Sequence, residues 1–223
     1  MHSPDQNPTR LPDLQVEKRS TSGRRNRLST TAKFPREVIL IDQDPQAIPF
    51  DLRASEVGRA FLTRAADFLA NEYVPKIERC LEKLDDQQIW WRPNQESNSI
   101  GNLILHLCGN SRQWIISGLG NNPDVRLRDQ EFAQREVIAR DQLLSHLRKT
   151  LAEVDAVLKD VNPQVLLEHR TIDILEAVFP VTEHFSMHTG QILLLTKLLT
   201  SSGLRFYEFE DGTPLLRVSS PSF

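Results

Sequence analysis

The chain has 223 residues, 39% of them hydrophobic and 26% charged, which suits one ordinary domain with an appendage. No run approaches the roughly 18 uncharged apolar residues that a bilayer span needs, so a membrane protein is set aside. The net charge of −3 divides unevenly: seven basic and three acidic residues give +4 over residues 1–33, leaving −7 for the rest, an acidic body ill suited to nucleic acid.

The opening MHSPDQNPTR lacks the basic-then-apolar pattern of a secretory signal. Residues 1 to about 33 are rich in Ser, Thr, Arg, Pro and Asn, and cannot bury enough apolar surface to offset the entropy of ordering. We read 1–48 as a disordered or extended segment, with Val38-Ile39-Leu40-Ile41 as a short β-favouring piece. The folded domain is expected over 49–223.

Helical periodicity begins near Leu52. Ser55 is the expected N-cap, and Val57, Ala60, Phe61, Phe68 and Leu69 form the apolar stripe. Pro75 should kink this helix before Ile77, Leu81 and Leu84 continue it. DDQQIWWRPNQESNS reads as a loop. A second helix starts at the caps around Ser97–Ser99, runs through IGNLILHLCGNSRQWIISGL and stops at GLGNNPDV. A third covers about Ala133 to Leu158, with Val137, Leu143, Leu144, Leu147, Leu151, Val154 and Leu158 on its apolar face. The fourth covers about Ile172 to Leu199, with Pro180 inside it or at a restart. GLRFYEFEDGTPLLRV follows as an ordered tail whose Phe206 and Tyr207 can tuck against the helices.

Four amphipathic helices without strand-helix alternation predict an all-α four-helix bundle. The connection from Leu119 to Phe132 is too long for a tight hairpin and predicts one crossover. Cys80 and Cys108 form no CxxC pair, so buried free thiols and a reducing, cytoplasmic setting are expected.

The chemistry concentrates in the histidines. In TEHFSMHTGQILLLTKLL, His184 and His188 lie four residues apart on the helix face that also carries Ala177, Val181, Gln191 and Leu195. Burying an imidazole without partners costs on the order of 1–3 kcal/mol. A shared metal removes that cost, because neutral imidazole is its natural ligand. His106 in NLILHLCGN supplies a third ring, flanked on its wheel face by Asn102, Asn110 and Gln113. Three protein ligands and an open position describe a catalytic rather than a closed structural zinc site. The alternative is that these are satisfied core histidines. His2, His146 and His169 read as surface residues. HFSMH lacks the glutamate of HEXXH, and no Glu-x-x-His pair, G-x-S-x-G elbow or phosphate-binding glycine loop is present.

NSIGNLILHLCGNSRQWI, then EHFSMHTGQILLLTKLL about seventy residues on, then GLRFY, resembles the DinB/YfiT-like superfamily, a bacterial-type group. More narrowly it is similar to a branch described as a domain of unknown function, over roughly Leu52 to Tyr207. The resemblance implies a bundle in up-down-down-up order. It also implies a divalent metal, zinc or nickel, held by His106, His184 and His188. Pro180 departs from the superfamily pattern, at a place that touches no ligand.

Some relatives are thiol S-transferases that use bacillithiol, mycothiol or glutathione. The implied function is therefore a metal-dependent enzyme, a thiol S-transferase or hydrolase acting on a small molecule or a low-molecular-weight thiol. The alternative is a non-catalytic metal-binding stress-response protein. Asn102, Asn110, Gln113 and Gln191 share the metal-facing sides and are candidate substrate-binding residues, because an amide both donates and accepts. Neither nucleic acid nor membrane is expected as a partner. A homodimer is an option because bundles of this size often pair through an exposed apolar helix face, although nothing in the sequence fixes it.

Overall fold

The structure is a computed structural model that describes residues 50–165 and 173–216, all within one compact unit, Gln46–Phe223. The expectations for residues 1–48, and those for His2 and His169, lie outside the described residues. The described chain is mostly helical. Helix α1 (Phe50–Asp67) runs into a π-helical stretch (Phe68–Tyr73) and then α2 (Val74–Leu81). Pro75 explains the change of pitch. It has no N–H to donate back to the preceding turn, and the wider π turn absorbs that break without ending the rod.

Two details of this first helix differ from expectation. Ser55 lies inside α1 instead of capping it, and Val57 and Ala60 are exposed. The buried stripe is Gly58, Leu62, Ala65 and Leu69, displaced by about one residue from the one expected. Tertiary packing chose between two neighbouring apolar rows of the same helix.

A short helix, α3 (Asp86–Trp90), occupies the segment read as loop. Its start is a capping box: Asp85 accepts from the Gln88 backbone N–H at 2.8 Å, and the Gln88 side chain accepts from the Asp85 N–H at 3.0 Å. Burial of Ile89 and Trp90 holds the helix in place, with Trp90 Nε1 donating to the Ile138 carbonyl at 3.0 Å. Helix α4 (Ile100–Ser111) starts at Ser99 and continues as a π-helical turn, Arg112–Ser117. After a loop come α5 (Arg128–Ala133) and α6 (Arg140–Asp160). The third long helix thus begins at Arg140, not Ala133. Val137 is exposed and outside its stripe, whereas Leu143, Leu147, Leu151, Val154 and Leu158 are buried as expected.

Helix α7 (Ile174–Thr200) is one unbroken helix capped by Asp173, which accepts from the Glu176 N–H at 2.7 Å. Pro180 sits inside it and is exposed. The carbonyl it leaves without an intrahelical donor belongs to Glu176, itself exposed, so water can take that bond. The tail after α7 forms an antiparallel hairpin, β1 (Tyr207–Glu210) with β2 (Thr213–Leu216). Asp211 and Gly212 both have positive φ (47° and 79°), as a two-residue hairpin turn of the primed type requires. Tyr207 donates its hydroxyl to Glu72 and lies beneath the Lys76 ammonium, so its role is docking the hairpin.

The long helices close around one core: α1 packs on α6 and α7, and α4 packs on the same two. Phe185, Leu62, Leu69, Ile104, Leu107, Leu147 and Ile192 fill the interior. Cys80 and Cys108 are buried free thiols, and burial pushes their pKa values up to about 11 and about 12, so neither is a nucleophile at neutral pH.

Asn102 ties this architecture together. Its backbone and carboxamide form the α4 capping box with Ser99, and Oδ1 also accepts from Arg92 at 2.5 Å. Its Nδ2 donates to the Glu131 and Gln134 carbonyls at 2.7 and 3.1 Å, fastening the loop after α4 back onto the start of that helix. Asn102→Ala should cost on the order of 2–3 kcal/mol of folding stability, because it removes a cap and strands buried polar partners. Urea denaturation would show an undiminished midpoint if the residue were only a surface amide.

Candidate metal centre

His106 occupies the middle of α4, and the apolar residues around it, Leu103, Ile104, Leu107 and Cys108, turn that helix face into the core. On α7, buried Val181, Phe185 and Ile192 lie beside the histidines and turn His184 and His188 inward on successive turns. Because α4 packs on α7, the three rings meet. Their centroids lie 4.9 Å (106 to 184), 5.2 Å (106 to 188) and 4.3 Å (184 to 188) apart, edge-on to one another. One nitrogen of each lies within 4.8 Å of the others, a spacing that could hold a metal ion. His106 and His188 are buried and His184 is half-buried.

Outer contacts decide which nitrogens face the centre. Nδ1 of His106 lies 2.8 Å from Glu131 Oε2. A carboxylate only accepts, so that nitrogen carries the proton and Nε2 keeps its lone pair. Arg126 grips the same carboxylate with Nε (2.8 Å to Oε1) and Nη2 (2.9 Å to Oε2). Nη2 and the His106 Nδ1, 3.0 Å apart, are two donors converging on one oxygen. Nδ1 of His188 donates to Gln191 Oε1 at 2.7 Å, which likewise leaves Nε2 free.

That His188 Nε2 is buried and has no hydrogen-bond partner. A buried acceptor left unpaired costs on the order of 1–3 kcal/mol, and its ring is packed edge-on against two other imidazoles. Nε2 of His184 lies 2.8 Å from Nε2 of His106. With the His106 nitrogen unprotonated, His184 must supply the hydrogen between them. A divalent cation would replace that hydrogen and engage the His188 lone pair in one step, so the donor set fits such an ion, and a neutral imidazole trio suits zinc or nickel.

Charge supports the same chemistry. Burial, followed by the neighbouring His188 and His106, Arg126 and Arg128, holds His184 at about 4, below its ordinary 6.5. Burial also lowers His106, although Glu131 opposes it. Burial raises Glu131, yet its bonds to Arg126 and His106 outweigh burial and keep it below the usual carboxylate range. His184 and His106 thus favour the neutral form that a ligand must have.

The four candidate amides separate. Asn102 is occupied by helix capping and loop fastening. Gln191 touches His188 directly. Gln113 accepts from Arg126 at 2.9 Å and donates to Asp124 at 3.0 Å, steadying the guanidinium that holds Glu131. Asn110 Oδ1 is buried without a partner, one turn along α4 from His106. His146 is on the surface, and Glu183 is exposed on α7.

Sequence reasoning missed Glu131 and Arg126. They belong to a connection with no periodicity, and nothing local marks the residue 25 positions from His106 as its partner. Phe132 was visible as an aromatic but not as the ring lying against His106, 4.6 Å between centroids.

A family described as a protein of unknown function (DUF1572) matches residues 56–210, well over half of the chain. The chain belongs to that family. No curated protein matches it. A solved structure, the crystal structure of a conserved protein from Enterococcus faecalis, is similar over 70% of this chain and 100% of its own, at 16% identity and a TM-score of 0.50. That likeness concerns the fold alone.

Two outcomes follow. Glu131→Gln preserves shape and an acceptor for His106 but removes the charge and leaves Arg126 unpaired, so affinity for zinc or nickel should fall about 10-fold or more. Titration against a competing chelator reads this, and equal affinities would show that the carboxylate does not set the ring. The second concerns acid. A histidine at about 4 when folded and 6.5 when unfolded takes up its proton first in the unfolded chain. Metal-free protein should therefore keep its full stability above pH 6.5 and lose it progressively as the pH falls toward 4, and denaturant midpoints across that window measure the loss.

Proposed function

We propose that this chain is a DinB-like four-helix bundle whose His106, His184 and His188 bind one divalent cation, zinc or nickel. We further propose that it is a cytoplasmic metal-dependent enzyme of the thiol S-transferase or hydrolase type. The observation that carries the metal reading is the buried, unpartnered Nε2 of His188 in a cluster where one nitrogen of each of the three rings lies within 4.8 Å of the others. The bundle reading is supported by the way α1 and α4 each pack on both α6 and α7.

Bound there, the cation would lower the pKa of a thiol or a water at its open position and supply a nucleophile at neutral pH. The chain's own residues prepare that position. Glu131 and Gln191 fix the proton of His106 and His188 on the outer nitrogen. Glu131 is neutralised by Arg126, so the site adds no negative charge of its own to repel an anionic ligand. Arg126 and Arg128 lie close enough to depress the His184 pKa, and with Arg126 balanced by Glu131 the charge of Arg128, stacked over Phe132, favours a thiolate or hydroxide over the neutral form. His184, half-buried, is the ring that solvent reaches, so a small-molecule substrate would approach along its side.

The alternative, a non-catalytic metal-binding stress-response protein, has one observation in its favour. Glu131 is committed to Arg126 and His106 and is not free to serve as a general acid or base.

The test begins with metal analysis of natively purified protein, with the expectation of one zinc or nickel per chain and its loss from His188→Ala. Cobalt-substituted protein should then show a thiolate charge-transfer band with bacillithiol, mycothiol or glutathione, and conjugate should form with an electrophile such as monobromobimane. Stoichiometric metal with neither band nor conjugate nor ester hydrolysis would favour the non-catalytic reading. No metal, and an unchanged melting temperature for His188→Ala, would make the three rings ordinary core residues.

A further inference from the structure

The outer face of α7 carries a load of apolar surface that its own fold does not use. Phe179, Met187, Leu194 and Leu198 are 60%, 45%, 58% and 62% exposed, all on one side of the helix over about 28 Å of its length. Together they uncover roughly 400 Å² of apolar surface, a patch of the size that marks interaction sites on monomers. None of the core packing described above depends on them.

Gly190 lies in the middle of the same face. A Cβ built there meets nothing within 4 Å, so no internal contact calls for a glycine. Glycine in a helix interior costs about 1 kcal/mol against alanine. Such a cost is recovered where another backbone approaches closely. The exposed charges then choose the approaching partner. Glu183 and Lys197 flank the glycine at equal distance, seven residues to either side, both on this face and both exposed.

We propose that α7 pairs with α7 of a second copy of this chain, antiparallel, across a two-fold axis at Gly190. In that arrangement Glu183 of each copy faces Lys197 of the other, and Met187 falls against Leu194 of the other copy. A two-fold contact must be self-complementary, and an acidic group opposite a basic group at mirrored positions meets that requirement. A standard interface buries about 800 Å² per partner. The apolar patch supplies its core, and Glu183, Ser186, Gln191 and Lys197 supply its polar rim.

Sedimentation equilibrium on the full chain tests the pairing. Wild type should be dimeric at low micromolar concentration, and Leu194→Glu should weaken the dimer at least 10-fold with an unchanged circular dichroism spectrum. Glu183→Lys and Lys197→Glu should each weaken it, and the double reversal should restore it, a rescue that only the antiparallel α7 register explains. Several results overturn the proposal: a monomer at about 100 µM, including one whose own segment 1–49 covers the face, a dimer indifferent to Leu194→Glu, or charge variants without rescue. The three histidines are intact in every variant, so metal content measured alongside reports on the metal centre separately.

Discussion

An imidazole can offer a lone pair to a cation only when its proton is held on the opposite nitrogen, and this requirement organises the centre of the protein. His106 meets it through Glu131, and Glu131 is available because Arg126 neutralises it. The backbone of Glu131 is in turn pinned by Asn102, four residues before His106 on the same helix. The loop after α4 thus folds back and closes on the helix it left. The ring, its orienting carboxylate and the peg that holds that carboxylate all belong to one local circuit. His188 meets the same requirement more cheaply, through Gln191 within its own helix.

The two helices contribute differently to the site. Helix α4 provides one ring and receives its support from a distant segment. Helix α7 provides two rings and much of its own support, because residues at three- and four-residue spacing share a face. Half-buried His184 stands between a dry interior and the exposed outer face of α7. Burial and the positive neighbours favour the neutral form of His184 and His106, so these two rings are prepared for a cation before one arrives. Both π-helical turns lie where a long helix must change the direction of its side chains. One absorbs Pro75, and the other contains Gln113, which accepts from Arg126.

Local sequence rules were legible mainly where the relevant partners lie within a few residues. The helix content, a cap within Ser97–Ser99, and the shared face of His184, His188 and Gln191 follow from spacing alone, whereas spacing left open whether Pro180 interrupts the last helix, which the structure shows unbroken. The capping box at Asp85 was equally local. It was overlooked because two tryptophans and a proline gave that segment the texture of a loop. The stripe of α1 was displaced by about one residue, because neighbouring apolar rows on one helix have nearly the same periodicity and only the packing partners choose between them.

The sequence by itself determined that this chain builds long amphipathic helices and turns three imidazoles into their packed faces, because 3.6-residue periodicity and the cost of burying polar rings are local matters. Tertiary structure alone decided that His106 meets the other two, that Glu131 and Arg126 set its proton, and that Asn102 is a fastening rather than a ligand-facing amide. Those outcomes depend on which helix faces touch and on where an aperiodic connection lies across them, and neither is encoded in the spacing of any single segment.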